Sequence, residues 1–431
     1  MTQVTPQAAV GDAGAPAADR TPPVVVTGIG VLAPNGLTTE EYWQAVLAGR
    51  TGIGALRGYD TSRYPARLAG QITGFDAALR LPSRLLPQTD RVTRLALVAA
   101  EDALADAGVD TRRQPEYDMG VVTSNACGGF EFTHVEIQKL WTKGSEYVSV
   151  YESFAWFYAV NTGQISIRNG MRGPSGVVVA EQAGGLDALG HARRTVRRGT
   201  PLVLSGGIES AFDPWGWVSH LASGRISTAT DPAAAYLPFD GRAAGYVPGE
   251  GGALLVMEDA DAARSRNAPR VYGQIAGYAA TFDPRPGSGR PPGLERALRL
   301  ALLDAALSAG DIDVVFADCA GLIDLDAVEA DAIRAVFGPY GVPIAAPKAL
   351  FGRLYAGGPP LDVATALLAI RDGVIPPCGG QLIPDPTYQL DLVTGRPRAA
   401  HLRHCLVIAR GFGGFNAAVV VSSPEPTTTG G

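Results

Sequence analysis

Strand-like apolar segments alternate with helix-like segments along most of this chain, and this alternation limits the possible folds more than any other feature. The segment VVVTGIGVLA, beginning at Val24, is typical of a buried strand, and TTEEYWQAVLAG after it is typical of a helix. After RVYGQIAGYAATFD, which ends at Asp283, a second series begins with GLERALRLALLDAALSAG and DIDVVFADCAG. Strands alternating with helices predict an α/β fold in layers. No linker rich in Pro or Ser separates the two series, so we expect two similar halves that share one core.

The pattern divides the chain of 431 residues into four parts. We expect a disordered N-terminal lead over residues 1–23, an N-terminal half over 24–272, a C-terminal half over 273–423 and a flexible tail over 424–431. The lead has neither the basic start nor the apolar stretch of a signal peptide.

Composition excludes several classes of function. The net charge of -6 leaves no basic footprint for nucleic acid. No apolar run reaches the roughly 20 residues that a membrane span needs, so we expect no membrane partner. The cysteines Cys127, Cys319, Cys378 and Cys405 lie far apart without metal-ligand spacing. This predicts reduced thiols, no metal site and a cytoplasmic protein.

The segment VVVAEQAGGLDALG, beginning at Val177, passes from a predicted strand through a short turn into a helix. Many enzymes hold a nucleophile at such a turn, because the N–H groups at the start of a helix favour negative charge. The residue at the apex is Gln182, whose amide cannot ionise. The sequence therefore predicts the framework of a nucleophile site without a nucleophile.

Three segments resemble, in order, the catalytic motifs of β-ketoacyl synthases of the thiolase fold. EQAGGLDALG resembles the nucleophile segment but has Gln182 in place of Cys. ADCAGLIDLDAVE and KALFGRLYAGG resemble the two histidine motifs but have Asp318 and Arg353 in place of His. The loops PFDGRAAGYVPGEGG and GFGGFN are similar to further family loops. The resemblance covers residues 24–423 and implies a thiolase-like α/β fold with α-β-α-β-α layers, built from two similar halves.

These replacements remove the chemistry of condensation. A ketosynthase needs a thiolate to carry the acyl chain and two imidazoles to stabilise the enolate. Loss of the nucleophile alone lowers the rate by on the order of a million-fold. Cys127 is the best substitute nucleophile, but no base is placed beside it, and we interpret it, like Cys319, as structural. We therefore expect no intact catalytic residue.

Among the residues that match the family motifs, we interpret four as structural remnants: Asp326, Glu329, Lys348 and Phe412. The first three are interpreted as an ion-pair and hydrogen-bond set that holds the C-terminal half. We also expect the amide of Gln182 to satisfy buried backbone groups that a reactive Cys would have faced.

Two subfamilies carry Gln at the Cys position. Loading ketosynthases decarboxylate malonyl thioesters and keep the histidines, whereas chain-length factors of bacterial type II aromatic polyketide synthases lack the whole triad. Asp318 and Arg353 indicate the second. The resemblance then implies a heterodimer with a Cys-containing ketosynthase α subunit and a tunnel for the growing poly-β-ketone. The phosphopantetheine arrives on an acyl carrier protein, so we expect no resident cofactor. A malonyl-carrier-protein decarboxylase is the alternative, and a scaffold without a tunnel role is a third hypothesis.

The helix predicted for GGFEFTHVEIQKLW places Phe130, Thr133 and Ile137 on one stripe. Spacing alone is typical of an ordinary core stripe. The resemblance implies that these residues, with Gly129, line and close the polyketide tunnel. The helix rises ~10 Å from Phe130 to Ile137, a useful length for a ruler. Because Ile is smaller than an aromatic residue, Ile137 predicts a longer cavity than the shortest products require.

The segment HARRTVRRG ends the helix that follows Gln182. Its four arginines predict a solvated face that complements the helix dipole. A docking surface for an acidic carrier protein is the alternative.

Overall fold

The computed structural model describes residues 22–285 and 287–424. Residues 1–21 and 425–431, which make up most of the predicted lead and tail, lie outside the described residues. In the part of the chain that is described, no helix has the length and apolar character needed to cross a bilayer.

The strands and helices follow the predicted alternation. The strands are β1 (Val24–Leu32), β2 (Ile53–Ala55), β3 (Leu68–Gly70), β4 (Met119–Ser124), β5 (Ser175–Val178), β6 (Leu202–Glu209), β7 (Gly251–Asp259), β8 (Gly273–Phe282), β9 (Val314–Phe316), β10 (Pro343–Ala345), β11 (Val374–Ile375), β12 (Asp391–Leu392), β13 (Arg398–Ala399), β14 (His404–Gly411) and β15 (Phe415–Ser422). The α-helices are α1 (Thr39–Leu47), α2 (Arg91–Asp106), α3 (Phe130–Lys143), α4 (Glu152–Ala155), α5 (Val160–Asn169), α6 (Gly184–Arg197), α7 (Pro214–Ala222), α8 (Ala260–Ser265), α9 (Leu294–Asp304), α10 (Ile323–Phe337) and α11 (Gly358–Asp372).

Strand order shows that the two halves repeat one topology. The large sheet runs β12-β10-β9-β14-β15-β8-β1-β7-β6-β4-β5. When the five main strands of each half are numbered along the chain, both halves have the order 3-2-4-5-1. The first three strands of this order are parallel, and the last two alternate in direction in both halves. The halves meet through a short antiparallel pairing of β1 with β8. The expectation of two similar halves is confirmed.

Two central helices, α6 and α11, pack against strands of both halves. Helices α2 and α5 cover the outer face of the N-terminal half, and α9 and α10 lie on the outer side of the C-terminal half. Successive residues of one strand enter different cores because side chains alternate between the faces of a sheet. On β15, Val419 joins the central core and Val420 the outer one. This arrangement gives the predicted α-β-α-β-α layers with the central core shared by both halves.

Candidate functional site

The turn between β5 and α6 holds Gln182 at the centre of the molecule. The preceding residue, Glu181, has a φ of 49°, a left-handed conformation that reverses the chain sharply before the helix. Gln182 is almost fully buried, and its Nε2 donates a hydrogen bond of 2.5 Å to Oδ1 of Asp318. Its Oε1 has no hydrogen-bond partner within residues 22–285 and 287–424. The expectation that Gln182 satisfies buried backbone groups is therefore wrong, because the stronger acceptor, a buried carboxylate, takes its donor.

Asp318 and Arg353 form a buried ion pair across the same site. Both terminal nitrogens of Arg353 reach Oδ2 of Asp318, at 3.1 and 3.0 Å. Arg353 also donates to the carbonyl of Arg410 at 2.7 Å, and the backbone N–H of Arg410 donates to Asp318 at 2.9 Å. Burial works to raise the pKa of Asp318, but the guanidinium of Arg353 and the other nearby donors hold that pKa below its usual value. The carboxylate is thus ionised and fully engaged.

Together Gln182, Asp318 and Arg353 form one connected group, which we call the replaced centre. Each member is buried and bonded to another member. It contains no thiolate, and no imidazole takes part in it, so it lacks both the nucleophile and the bases that condensation requires. A carboxylate at its middle would repel an enolate. The arrangement holds three buried side chains together but lacks the groups that form a carbon–carbon bond.

The retained acidic residues hold the loop that carries Asp318. Glu329 accepts hydrogen bonds from the backbone N–H groups of Asp318 and Cys319, at 2.6 and 2.9 Å. Asp326 accepts from the N–H groups of Phe239 and Gly321, both at 2.9 Å. Burial raises the pKa of Glu329 to about 7 and that of Asp326 to about 6. These two residues therefore act as backbone clamps rather than as members of ion pairs.

Lys348 has a partner that sequence reasoning missed. Its ammonium lies 2.8 Å from a carboxylate oxygen of Asp362 and 2.5 Å from the carbonyl of Ala317. Although burial opposes its charge, Asp362 and other neighbours hold the pKa of Lys348 above its usual value. The available signal was a single carboxylate inside the otherwise apolar run of α11, which indicates a buried, paired charge. The predicted set therefore divides into two clamps and one separate ion pair.

A cavity of about 380 Å³ borders the replaced centre. Its walls include Cys127, Phe130, His220 and Tyr355 together with Asp318 and Arg353. Phe412 also lines it, with 66% of its surface exposed and Arg225 stacked over its ring. The remnant Phe412 therefore stands at the opening of the cavity.

The two reactive groups in this cavity are unsuited to catalysis. Burial, together with Glu209 and Glu181, raises the pKa of the Cys127 thiol well above its usual value. His220 is held between the hydroxyl of Tyr355 at 2.7 Å and the carbonyl of Ala211 at 3.1 Å. Burial lowers the pKa of His220 to about 4, so the ring is neutral and both nitrogens are engaged. Sequence reasoning did not place His220 or Glu209 here, because neither belongs to a family motif.

Helix α3 carries the predicted gate residues, and they occupy different environments. Phe130 lines the cavity and packs on Trp215 with ring centres 4.8 Å apart. Thr133 is buried, and Ile137 is 38% exposed. A Cβ at Gly129 would lie 2.0 Å from the carbonyl oxygen of Ala155, so this position requires glycine. Of the four residues, Phe130 alone lines this cavity; the stripe continues from it to the surface.

Large apolar side chains are exposed around α3, α4, α5 and the loops that lead to β5 and α6. We call this area the α3–β5 surface, and its members are Val135, Ile137, Leu140, Trp141, Tyr147, Val150, Trp156, Phe157, Tyr158, Ile167 and Val179. In the described sheet, β5 is the edge strand and pairs with β4 alone. A cluster of this kind is typical of a protein–protein interface.

The arginines at the end of α6 do not all face solvent as the first hypothesis predicts. Arg193 is buried and forms an ion pair of 2.5 Å with Asp304. It also donates to the carbonyl of Ala276 at 2.6 Å. Arg194, Arg197 and Arg198 are exposed. The solvated-face prediction is wrong for Arg193, because that residue points from α6 toward β8 and α9.

Comparisons with known proteins agree with this geometry. The family model of the β-ketoacyl synthase N-terminal domain matches residues 21–263, and that of the C-terminal domain matches residues 272–381. The chain is 65% identical over 404 residues to the actinorhodin polyketide β-ketoacyl synthase 2 of Streptomyces coelicolor, covering 94% of this chain and 99% of that protein. It is 60% identical to the tetracenomycin polyketide synthase ketoacyl synthase beta subunit of Streptomyces glaucescens, covering 93% and 98%. Among solved structures, the ishigamide ketosynthase/chain length factor matches with a TM-score of 0.86 and 25% identity, covering 94% and 100%.

Proposed function

This chain belongs to the β-ketoacyl synthase family, among the β subunits of type II polyketide synthases, and from that premise we propose that it is a non-catalytic subunit that sets polyketide chain length. It pairs with an active, Cys-containing ketosynthase and shapes the tunnel at their interface. The observation that carries this proposal is the replaced centre. Gln182, Asp318 and Arg353 occupy the three catalytic positions of the family and are bonded to one another in the core. The strands and helices of the family fold are present around them.

The α3–β5 surface supports the pairing. Its exposed aromatic and aliphatic residues surround β5, which pairs with β4 alone among the described strands, and a partner that covers them stabilises both the residues and the strand edge. Obligate pairs of this kind bury more than roughly 2,000 Å². The partner holds the growing poly-β-ketone as a thioester on its own Cys.

The carrier in this proposal is an acyl carrier protein, which brings the extender unit on its phosphopantetheine arm. This chain then needs neither a resident cofactor nor a metal. Its own residues form a wall and an end for the tunnel. Phe130 begins this wall beside the cavity, and Ile137 lies two helical turns further along α3.

Malonyl decarboxylation by this chain is not favoured. The Nε2 of Gln182, the donor that would polarise a thioester carbonyl, is already bonded to Asp318. The ionised Asp318 would also repel the malonyl carboxylate. No histidine occupies either of the two motif positions.

The test is co-expression with a Cys-containing ketosynthase, followed by purification of the complex and identification of the products by length. We expect a one-to-one complex, and Ile137→Trp shortens the main product because added bulk closes the far end of the tunnel. Ile383→Trp, which adds the same bulk at an exposed site in the C-terminal half, is the control and leaves product length unchanged. If Ile137→Trp assembles normally and gives unchanged lengths, Ile137 is not part of the ruler and the scaffold hypothesis gains support.

A further inference from the structure

Helix α3 begins at a position that cannot carry its own side-chain cap. Its N-cap is Gly129, and no side chain of that residue is present to accept a hydrogen bond from the first turn. A Ser or Asp is excluded here, since a Cβ would lie 2.0 Å from the carbonyl oxygen of Ala155 and 3.2 Å from the Cβ of Asp90. The free N–H groups of the first turn therefore need an acceptor from elsewhere in the fold.

Asp90 supplies that acceptor from the start of another helix. As the N-cap of α2, its Oδ1 accepts from the backbone N–H of Val92 at 2.8 Å. Its Oδ2 accepts from the backbone N–H of Phe132, in the first turn of α3, also at 2.8 Å. One carboxylate thus joins the N-termini of two helices that are separated by 23 residues of chain between Asp106 and Phe130.

The buried position of Asp90 opposes the charge of its carboxylate. Asp90 is 2% exposed, and burial raises its pKa to about 7 although both backbone N–H groups act to lower it. A Ser would cap α2 about as well as Asp without this desolvation. The second oxygen, which reaches α3, is what Ser could not provide.

We propose that Asp90 is a positioning residue for chain-length control: its carboxylate fixes where α3 begins relative to the cavity. The inference rests on the proposed function of α3 as a ruler. Phe130 is the first residue of that helix and lines the cavity, so a shift of the first turn moves the wall of the tunnel. The position of Asp90 is in turn set by α2, which packs against β1, β6 and β7 in the core of the N-terminal half.

The variant that separates the two roles is Asp90→Ser, studied in the complex with the ketosynthase partner. It keeps a cap for α2 but loses the bond to Phe132. We expect the share of the main product to fall at least about twofold in favour of a mixture of lengths, because loss of one hydrogen bond shifts an equilibrium by about that factor or more. Amide hydrogen exchange of Phe132 becomes faster, whereas that of Val92 does not change.

The matched control is Asp259→Ser. Asp259 is the N-cap of α8, and within residues 22–285 and 287–424 its side chain accepts from its own helix alone, at the N–H groups of Asp261 and Ala262. This variant leaves product lengths unchanged. A single, unchanged main product from an assembled Asp90→Ser complex overturns the proposal.

Ile137→Trp is measured in parallel so that the two proposals fail separately. If Ile137→Trp shifts product length and Asp90→Ser does not, the inference on Asp90 is wrong, and the proposed role of α3 in setting product length is kept. If neither shifts it, the proposed function itself is wrong.

Should Asp90→Ser fail to assemble, Asp90→Asn keeps the size of the side chain and one acceptor, and we expect the same broadening. Failure of both variants to assemble would overturn the proposal, since Asp90 would then serve general stability.

Discussion

The replaced centre and helix α3 border the same cavity, but they differ in exposure. The side chains of the centre are buried and bonded to one another, whereas α3 exposes apolar side chains to solvent. Gln182, Asp318 and Arg353 are buried, and their charges are satisfied within the chain. On α3, Val135, Leu140 and Trp141 are exposed to solvent in the described part of the chain, Trp141 by 80%.

This difference shows what each region needs from a partner. The charges of the centre need no outside partner, because Asp318 and Arg353 neutralise each other and are hydrogen-bonded within the chain. The helix needs a second surface, because exposed apolar area is stabilised only when it is removed from water. The replaced centre therefore has neither reactive groups nor a need for a partner. In the proposed function, it is the exposed face of α3 that contributes to the complex.

The largest expected effect comes from breaking the replaced centre. Arg353→Met leaves the carboxylate of Asp318 buried without its cation, and we expect the free energy of unfolding to fall by about 3–5 kcal/mol. Chemical denaturation of the purified complex measures this. Arg264→Met is the control, since its ion pair with Asp261 is exposed and contributes less than about 1 kcal/mol. Equal losses in the two variants would contradict the distinction between a buried and an exposed pair.

A smaller effect is expected from the exposed face of α3. Trp141 is 80% exposed in this chain, and Trp141→Ser removes a candidate anchor of the interface. We expect the affinity for the partner ketosynthase to weaken by about 2 kcal/mol, with little change in the stability of this chain. Titration of the two subunits measures the dissociation constant. Tyr340→Ser, at an exposed aromatic residue of the C-terminal half, should leave it unchanged; equal weakening would place the interface elsewhere.

The smallest effect is expected when the nucleophile is restored alone. Gln182→Cys returns a thiol to the elbow, but that thiol faces the carboxylate of Asp318 and has no imidazole as a base. We expect no acyl adduct when the variant is incubated with an acyl thioester and weighed by intact-protein mass spectrometry. The Cys of the partner ketosynthase, acylated under the same conditions, is the positive control. An adduct on residue 182 would mean that the replaced centre can still be made reactive.

Sequence reasoning predicted the α/β layers from a local pattern, the alternation of strands and helices. The resemblance to the β-ketoacyl synthase motifs implied that Gln182, Asp318 and Arg353 belong to one site. Their mutual bonds were not predictable, since the carboxylate of Asp318 lies 136 positions away from the amide that it binds. The second bond of Asp90 was missed for the same reason. A carboxylate before a helix indicates a cap for that helix, and nothing local indicates a second one.

The inward orientation of Arg193 illustrates a further limit. Its charge suggests solvent, but its place on α6 is set by the helix period, and that period directs it between the two halves. A charged helix residue that points inward, such as Arg193, can be recognised only when the elements packed against its helix are known.

The two ends of the large sheet also differ in how much strand edge they offer to another chain. At one end the sheet finishes on β12, only two residues long, whereas at the other end β5 is four residues long and pairs with β4 alone among the described strands. In the proposed pair, a partner strand added to β5 would cover this edge, and the short β12 offers little backbone for a further addition. The unequal strand lengths would then favour a closed pair over a longer row of subunits.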